Sequence, residues 1–158
     1  MTTVYLALGS NVGDSETYIE QAIGLLAEHV NKIQRAPLYR SKAVGYTDQP
    51  DFLNTAVSGR TDLSPEELLR FIQDIERKMG RVERFRWGPR EIDIDIILYD
   101  DVTRQTGRLT LPHPAFRERD FVLRPLRDLD STLVDPVSRR TISQLLEEIA
   151  PENKSIVD

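Results

Sequence analysis

The stretch Glu91-Ile-Asp-Ile-Asp-Ile-Ile-Leu98 constrains the fold more than any other part of this chain. Alternation with period two is a strand signal, because successive side chains point to opposite faces. Ile92, Ile94 and Ile96 then share a core face. Asp93 and Asp95 share the other, with α-carbons about 6.5–7 Å apart. Aspartate is a poor strand former, and two neighbouring anions repel each other. A solvated outer face would also alternate, but such faces more often carry Thr, Lys or Glu. The pair fits a hard-cation site, since carboxylate oxygens suit Mg²⁺.

The rest of the chain supplies the partners of that strand. Thr3–Leu8 is β-branched and apolar and stops at the turn signal Gly9-Ser10-Asn11. Asp14 or Ser15 then caps a helix whose apolar positions Ile19, Ala22, Ile23, Leu26 and Val30 follow the helical period. Residues 33–44 and 52–61 read as extended segments around the loop Gly45–Asp51. Ser64-Pro-Glu-Glu67 opens a second helix with a capping box and a proline in the first turn; Leu68, Leu69, Ile72, Ile75 and Met79 are its buried stripe, and Gly80 ends it. Residues 104–111 suggest a short hairpin arm, and Phe121–Leu129 and Thr141–Ile149 suggest two more helices. The order predicts an α+β fold: a ferredoxin-like βαββαβ core with a mostly antiparallel sheet, helices packed on one face, and a C-terminal helical extension. No linker divides the chain, so one domain over 1–158 is expected.

Charge points to an anion. Residues 77–90, RKMGRVERFRWGPR, hold six Lys/Arg against one Glu, a net of +5 inside a chain of net −5. A basic loop on an acidic body is a local anion site rather than a nucleic-acid surface. Arg81, Arg84, Arg86 and Arg90 flank Trp87-Gly88-Pro89, and arginine forks match phosphate oxygens. Carboxylate-held magnesium with arginines is the recurring kit of phosphoryl transfer, and Gly80 and Gly88 would let the loop move as a lid. No P-loop motif occurs. His113, between two prolines, is rigidly presented. The chain has no cysteine, which excludes a disulfide scaffold and a thiolate site or nucleophile. No apolar run approaches the roughly 18 residues of a membrane span, and Met1–Ser10 carries no export signal, so a cytoplasmic protein is expected.

Arg86-Trp-Gly-Pro-Arg90 followed by Asp93-Ile-Asp-Ile-Ile97 resembles the signature of the 6-hydroxymethyl-7,8-dihydropterin pyrophosphokinases, a folate-pathway family. Ala7–Asn11, Asp48–Asn54, Gly80–Val82 and Leu111–Pro114 resemble its other blocks in order, over about Val4–Leu126. The resemblance implies transfer of diphosphate from ATP to the pterin's hydroxymethyl group, with AMP released. It implies that Asp93 and Asp95 bind two Mg²⁺ ions, and that Arg81 and Arg90 close over the triphosphate with them as the catalytic set. Gln73, Glu76, Trp87, Arg90, Ile96, Arg108, Thr110, His113 and Arg119 would line the ATP site. Phe52 and Phe121 would sandwich the pterin, with Asn54, Asp93 and the backbone of Ser41, Ala43 and Val44 around its edge. The chain departs from the family pattern in three places. Ser41-Lys-Ala-Val44 stands where a Thr and prolines are common, Pro114 stands where some members have an aromatic residue, and the lid is short between Arg81 and Arg86, which leaves Glu83 or Arg84 at the place of a family arginine.

The partners implied are small molecules, ATP and the pterin alcohol, with no nucleic acid and no membrane. A monomer, or at most a weak dimer, is expected. Two rivals share some of these features. A metal-dependent nuclease or phosphatase also uses paired carboxylates but needs no heterocycle. A non-catalytic ligand-binding module has no reason to pair Asp93 with Asp95.

Overall fold

The computed structural model describes residues 1–82 and 84–157. Glu83, weighed above against Arg84, and Asp158, the end of the expected domain, lie outside the described residues. In chain order the elements are β1 (Thr2–Ser10), α1 (Ser15–Leu26), β2 (Asn31–Arg35), β3 (Tyr39–Ser41), β4 (Phe52–Thr61), α2 (Pro65–Lys78), β5 (Asp93–Tyr99), β6 (Arg104–Gln105), β7 (Thr110–Leu111), α3 (Asp120–Leu129), α4 (Ile142–Glu147) and β8 (Ile156–Val157). A six-stranded sheet runs β5-β1-β4-β3-β8, with β2 also paired to β4. Every pairing in it is antiparallel.

Local chemistry accounts for the boundaries. Asp14 caps α1 by accepting from Thr17 N–H. Ser64 and Glu67 form a reciprocal box on α2, as Thr141 and Gln144 do on α4; each such cap is worth about 1 kcal/mol. The extended segment 33–44 divides into β2 and β3 at Ala36-Pro37, where proline removes a ladder donor. Strand β1 does not stop at the Gly9-Ser10 turn signal. Gly9 and Ser10 remain paired with Asn54 and Leu53.

Two cores lie on opposite faces of the sheet. Val4, Leu6, Leu8, Ile94 and Ile96 pack against Ile19, Ala22 and Leu26 of α1 and Leu68, Ile72 and Ile75 of α2. Ala56, Ile97 and Leu98 pack against Val122, Leu123 and Leu126 of α3 and Ile142 and Leu145 of α4. The expectation of helices on one face is therefore corrected: α3 and α4 carry their own apolar stripe, which has to be buried somewhere. The register explains how β5 serves both cores. Leu6 pairs with Ile96 and Tyr5 with Leu98, so Ile97 is passed over in a bulge. Ile97 and Leu98 then both turn to the second face, the face that also carries Asp93 and Asp95.

Candidate active site

Asp93 and Asp95 sit at the start of β5, opposite Gly9 and Ala7 of β1. They do not face open solvent. The segment leading into α3 roofs this end of the sheet and leaves a cavity of about 310 Å³. Its wall contains Asp93, Asp95, Arg81, Arg90, Arg119 and His113, and also Phe52, Asn54, Ser41, Val44, Trp87 and Phe121. Residues from five separate stretches of sequence, each singled out above, thus converge on one space.

The electrostatics of the pair are those of a site short of positive charge. Burial first, and then the Asp93 carboxylate, push Asp95 up to about 7. Arg81 reaches Asp93 Oδ1 at 3.2 Å, but it also donates to Glu76 at 2.6 Å. Glu76 is itself buried, which raises its pKa, and it accepts from the Ile94 N–H at 2.9 Å. It fastens α2 to β5 and holds Arg81 beside the aspartates. On Asp95, Arg119 and Arg81 act only through their charge and do not offset its burial, and two half-buried carboxylates left so incompletely balanced form a donor set suited to a divalent cation.

His113 lies in the same wall. Its backbone N–H donates to the Ile97 carbonyl at 3.0 Å, and its ring Nδ1 accepts from the Ala115 N–H at 3.1 Å. Burial, then Arg119, bring its pKa down to about 4, so the imidazole is neutral at pH 7. With Nδ1 occupied as an acceptor, the proton sits on Nε2, which is left as a donor.

The basic loop is tied down at specific points. Arg84 forms a bidentate pair with Glu91 at 2.7 and 2.8 Å, which holds Glu91 down at about 2. Arg84 is therefore committed to the loop's base, while Arg81 and Arg90 face the cavity. Gly88 N–H closes a turn on the Phe85 carbonyl, and Trp87 packs against Gly45. Gly45 has φ +83°, and a side chain there would come within 2.8 Å of the Trp87 ring.

Some named residues lie off this wall. Gln73 and Arg108 are exposed on α2 and in the β6–β7 turn, Thr110 is in β7, Ala43 is buried beside the cavity, and Ile96 is in the α1–α2 core. Asn11 and Gln49, quoted only within family blocks, and Lys42 have places at the site that the sequence reading did not give them. Buried Asn11 donates to Gln49 Oε1 and the Pro50 carbonyl and accepts from Arg90 N–H, at 2.8, 3.0 and 2.8 Å. Gln49 in turn donates to the carbonyls of Tyr46 and Trp87. Together they join the 45–51 loop to the basic loop. An amide in a turn motif gives no hint of that, because its partners lie far along the chain. Lys42 also lines the cavity.

Carboxylates, arginines, a neutral imidazole donor and aromatic rings around one cavity are the groups that transfer between a polyphosphate and a flat heterocycle would call on. The comparisons with known proteins narrow this. Residues 5–131 match the family described as 7,8-dihydro-6-hydroxymethylpterin-pyrophosphokinase (HPPK). The 2-amino-4-hydroxy-6-hydroxymethyldihydropteridine pyrophosphokinase of Aquifex aeolicus is 46% identical over 153 residues, which cover 97% of this chain and 93% of that protein. Its namesake from Bacillus subtilis is 47% identical over 127 residues, covering 79% and 76%. Among solved structures, wild-type Plasmodium falciparum HPPK-DHPS superposes with a TM-score of 0.76 at 17% identity; the match covers 93% of this chain but 44% of that longer one. That likeness speaks for the fold alone. The chain belongs to the HPPK family. It transfers diphosphate from ATP to the hydroxymethyl group of 6-hydroxymethyl-7,8-dihydropterin in folate biosynthesis, releasing AMP.

Proposed function

We propose that the cavity over Asp93 and Asp95 is where both substrates meet, and that the residues named above carry the reaction. The observation that carries this reading is the convergence of Asp93, Asp95, Arg81, Arg90, Phe52, Asn54 and Phe121 on one wall. Phe52 and Phe121 sandwich the pterin, Asn54 and Ser41–Val44 pair with its edge, and Asp93 stands beside its hydroxymethyl arm. An aromatic sandwich with a side-chain amide suits a flat, donor-rich ring.

Asp93 and Asp95 would hold Mg²⁺, two ions in this reading. The unbalanced charge of the pair supports the fit. When bound, the metal supplies charge neutralisation to the phosphate oxygens and lowers the repulsion between triphosphate and attacking oxygen. Arg81 and Arg90 take the transferring phosphates, Arg119 and the His113 Nε2–H take further oxygens, and Trp87 covers the nucleotide. Glu76 acts by positioning Arg81. Gln73, Arg108 and Thr110 extend the ATP site beyond the cavity, whereas Ile96, its side chain packed in the α1–α2 core, offers that site only its backbone. The pterin hydroxyl attacks the β-phosphorus in line, and the arginines offset charge on the departing oxygen. Among the described residues of the cavity, the carboxylates of Asp93 and Asp95 are taken by the metal in this reading and the His113 Nε2–H is a donor, so orientation and electrostatics supply the rate.

In fold terms this reading makes residues 1–99 a ferredoxin-like core, with β2 and β3 sharing one strand position, followed by α3 and α4 as a C-terminal extension within one 1–158 domain. The central order β5-β1-β4 supports it. In this reading the protein works as a monomer in the cytoplasm, where ATP is at hand. The test is nucleotide chromatography of Mg²⁺ reactions with and without the pterin alcohol. AMP should form only with the pterin. Asp93→Ala and Asp95→Ala should each cut it by more than about a hundredfold while remaining folded, as loss of a charge-stabilising group does. ADP as product, AMP release without pterin, or near-normal turnover in either variant would overturn the reading.

A further inference from the structure

The C-terminal strand lies beyond the 5–131 span of the family match, yet it is bonded into the wall of the cavity. Strand β8 pairs with β3, Ile156 opposite Ser41 and Val157 opposite Arg40, and the Lys42 N–H donates to the Ser155 carbonyl at 2.9 Å. Ser41 and Lys42 are cavity residues. On its other side the same short segment is held by Asp120, the first residue of α3. One carboxylate oxygen accepts from the N–H groups of Ser155 and Ile156 at 2.9 and 3.1 Å; the other accepts from the Ser155 hydroxyl at 2.9 Å. Asp120 is 6% exposed. Its neighbours in sequence, Arg119, Phe121 and Val122, all line the cavity.

A carboxylate that buries itself against two backbone amides and a hydroxyl has its charge met by fixed donors, and it fixes them in return. Here the donors come from Ser155, just before β8, and from Ile156 within it, and β8 is the outer neighbour of β3. Asp120 therefore ties the Phe121 side of the cavity to the Ser41–Val44 side through Ser155 and Ile156. Ser41 pairs in turn with Phe52 of β4, so the clasp fixes Phe121 relative both to the edge of the slot and to the ring on its other face.

We propose that Asp120 and the 155–157 segment form a clasp that sets the width of the heterocycle slot, with Asp120 as a positioning residue for pterin binding. The proposal rests on the assignment of Phe121 and Ser41–Val44 to the pterin. Asp120 does not touch the substrates. It acts through Phe121 on one side and β3 on the other, so its loss should be felt at the pterin and not at ATP.

The experiment compares four full-length proteins: wild type, Asp120→Ala, Ser155→Pro and Phe121→Ala. Ser155→Pro removes one amide donor to Asp120 together with the hydroxyl. Pterin affinity is read by fluorescence titration below the unfolding transition, and KM for each substrate is measured beside kcat. Asp120→Ala should weaken pterin binding by about tenfold, the loss that follows from removing a buried charged acceptor, with KM for ATP unchanged within about twofold. Ser155→Pro should shift in the same direction. Should Asp120→Ala not fold, Ser155→Ala removes only the hydroxyl donor to Asp120 and leaves the backbone in place, and a smaller weakening confined to the pterin is expected. Equal weakening of both substrates, or a lowered Tm with pterin affinity unchanged, overturns the clasp. Weakening by Phe121→Ala with no effect at Asp120 or Ser155 defeats the clasp alone. No effect at Phe121 defeats the pterin assignment and the clasp with it.

Discussion

Replacing Asp95 with asparagine should stabilise the metal-free protein while destroying its activity. The side chain keeps its shape, so packing is preserved, and only the charge is removed. In the folded chain burial and Asp93 raise this carboxyl from 3.8 to about 7. The sign follows from linkage. Below about pH 3.8 the group is protonated in both folded and unfolded chains and has no effect. As pH rises towards 7 the unfolded chain ionises first, so the folded state loses stability by comparison. At about 1.36 kcal/mol per pH unit the ceiling is about 4 kcal/mol above pH 7. The carboxylate retains some contact with solvent, so about half of that, about 2 kcal/mol, is the better expectation. For a chain of this size it corresponds to a Tm higher by about 4–8 °C. Differential scanning calorimetry in EDTA at pH 7.5, repeated down to pH 4, gives the comparison. The advantage of Asp95→Asn should shrink steadily as pH falls. Glu76, also raised by burial, repels Asp95, so the difference between the two proteins reports Asp95 together with the neighbouring carboxylates it acts on. Glu91 and Asp135 act in the opposite sense. For Asp135, burial is outweighed by hydrogen bonds from Arg117 and Ser138, and both carboxyls are held at about 2, so their contribution is lost only as pH drops below about 4.5. Adding Mg²⁺ and an ATP analogue should reverse the ranking, because only the wild type gains from binding. Equal Tm values at pH 7.5 without metal, or a difference that does not change with pH, would refute the argument that the pair is held against its own repulsion.

Two further outcomes follow from the site's geometry. In Gly9→Ala the new methyl would stand 3.1 Å from Asn54 Oδ1 and 3.6 Å from the Phe52 ring, so about 1–3 kcal/mol of crowding should fall on pterin binding, with KM for ATP little changed in steady-state assays. Arg84–Arg90 amides should exchange more slowly with ATP analogue and Mg²⁺ bound than without, because the loop's excess positive charge repels itself until phosphates arrive, and equal protection by hydrogen-exchange mass spectrometry would mark it as a static surface.

The local elements and the chemistry of the site were legible in the residues themselves. Ser64-Pro-Glu-Glu67 and Thr141 with Gln144 state their helix starts because a cap is satisfied within four residues. The Asp-Ile alternation of β5 states a strand with two unlike faces because side-chain direction there is a local property. Which face those aspartates meet was not local. Period two says only that they oppose the isoleucines. It took the bulge at Ile97, and the apolar stripes of α3 and α4 packing on the second face, to turn an outer surface into the floor of a cavity. The same holds for charges of one kind. Arg81, Arg84 and Arg90 look alike in the basic loop, but Glu91 removes Arg84 from service, Glu76 shares Arg81, and only their long-range neighbours tell them apart. Asn11 and Asp120 carry the same lesson. Their hydrogen-bond partners lie 35 or more residues away, so a sequence records that a polar group exists, and the tertiary structure decides what it holds.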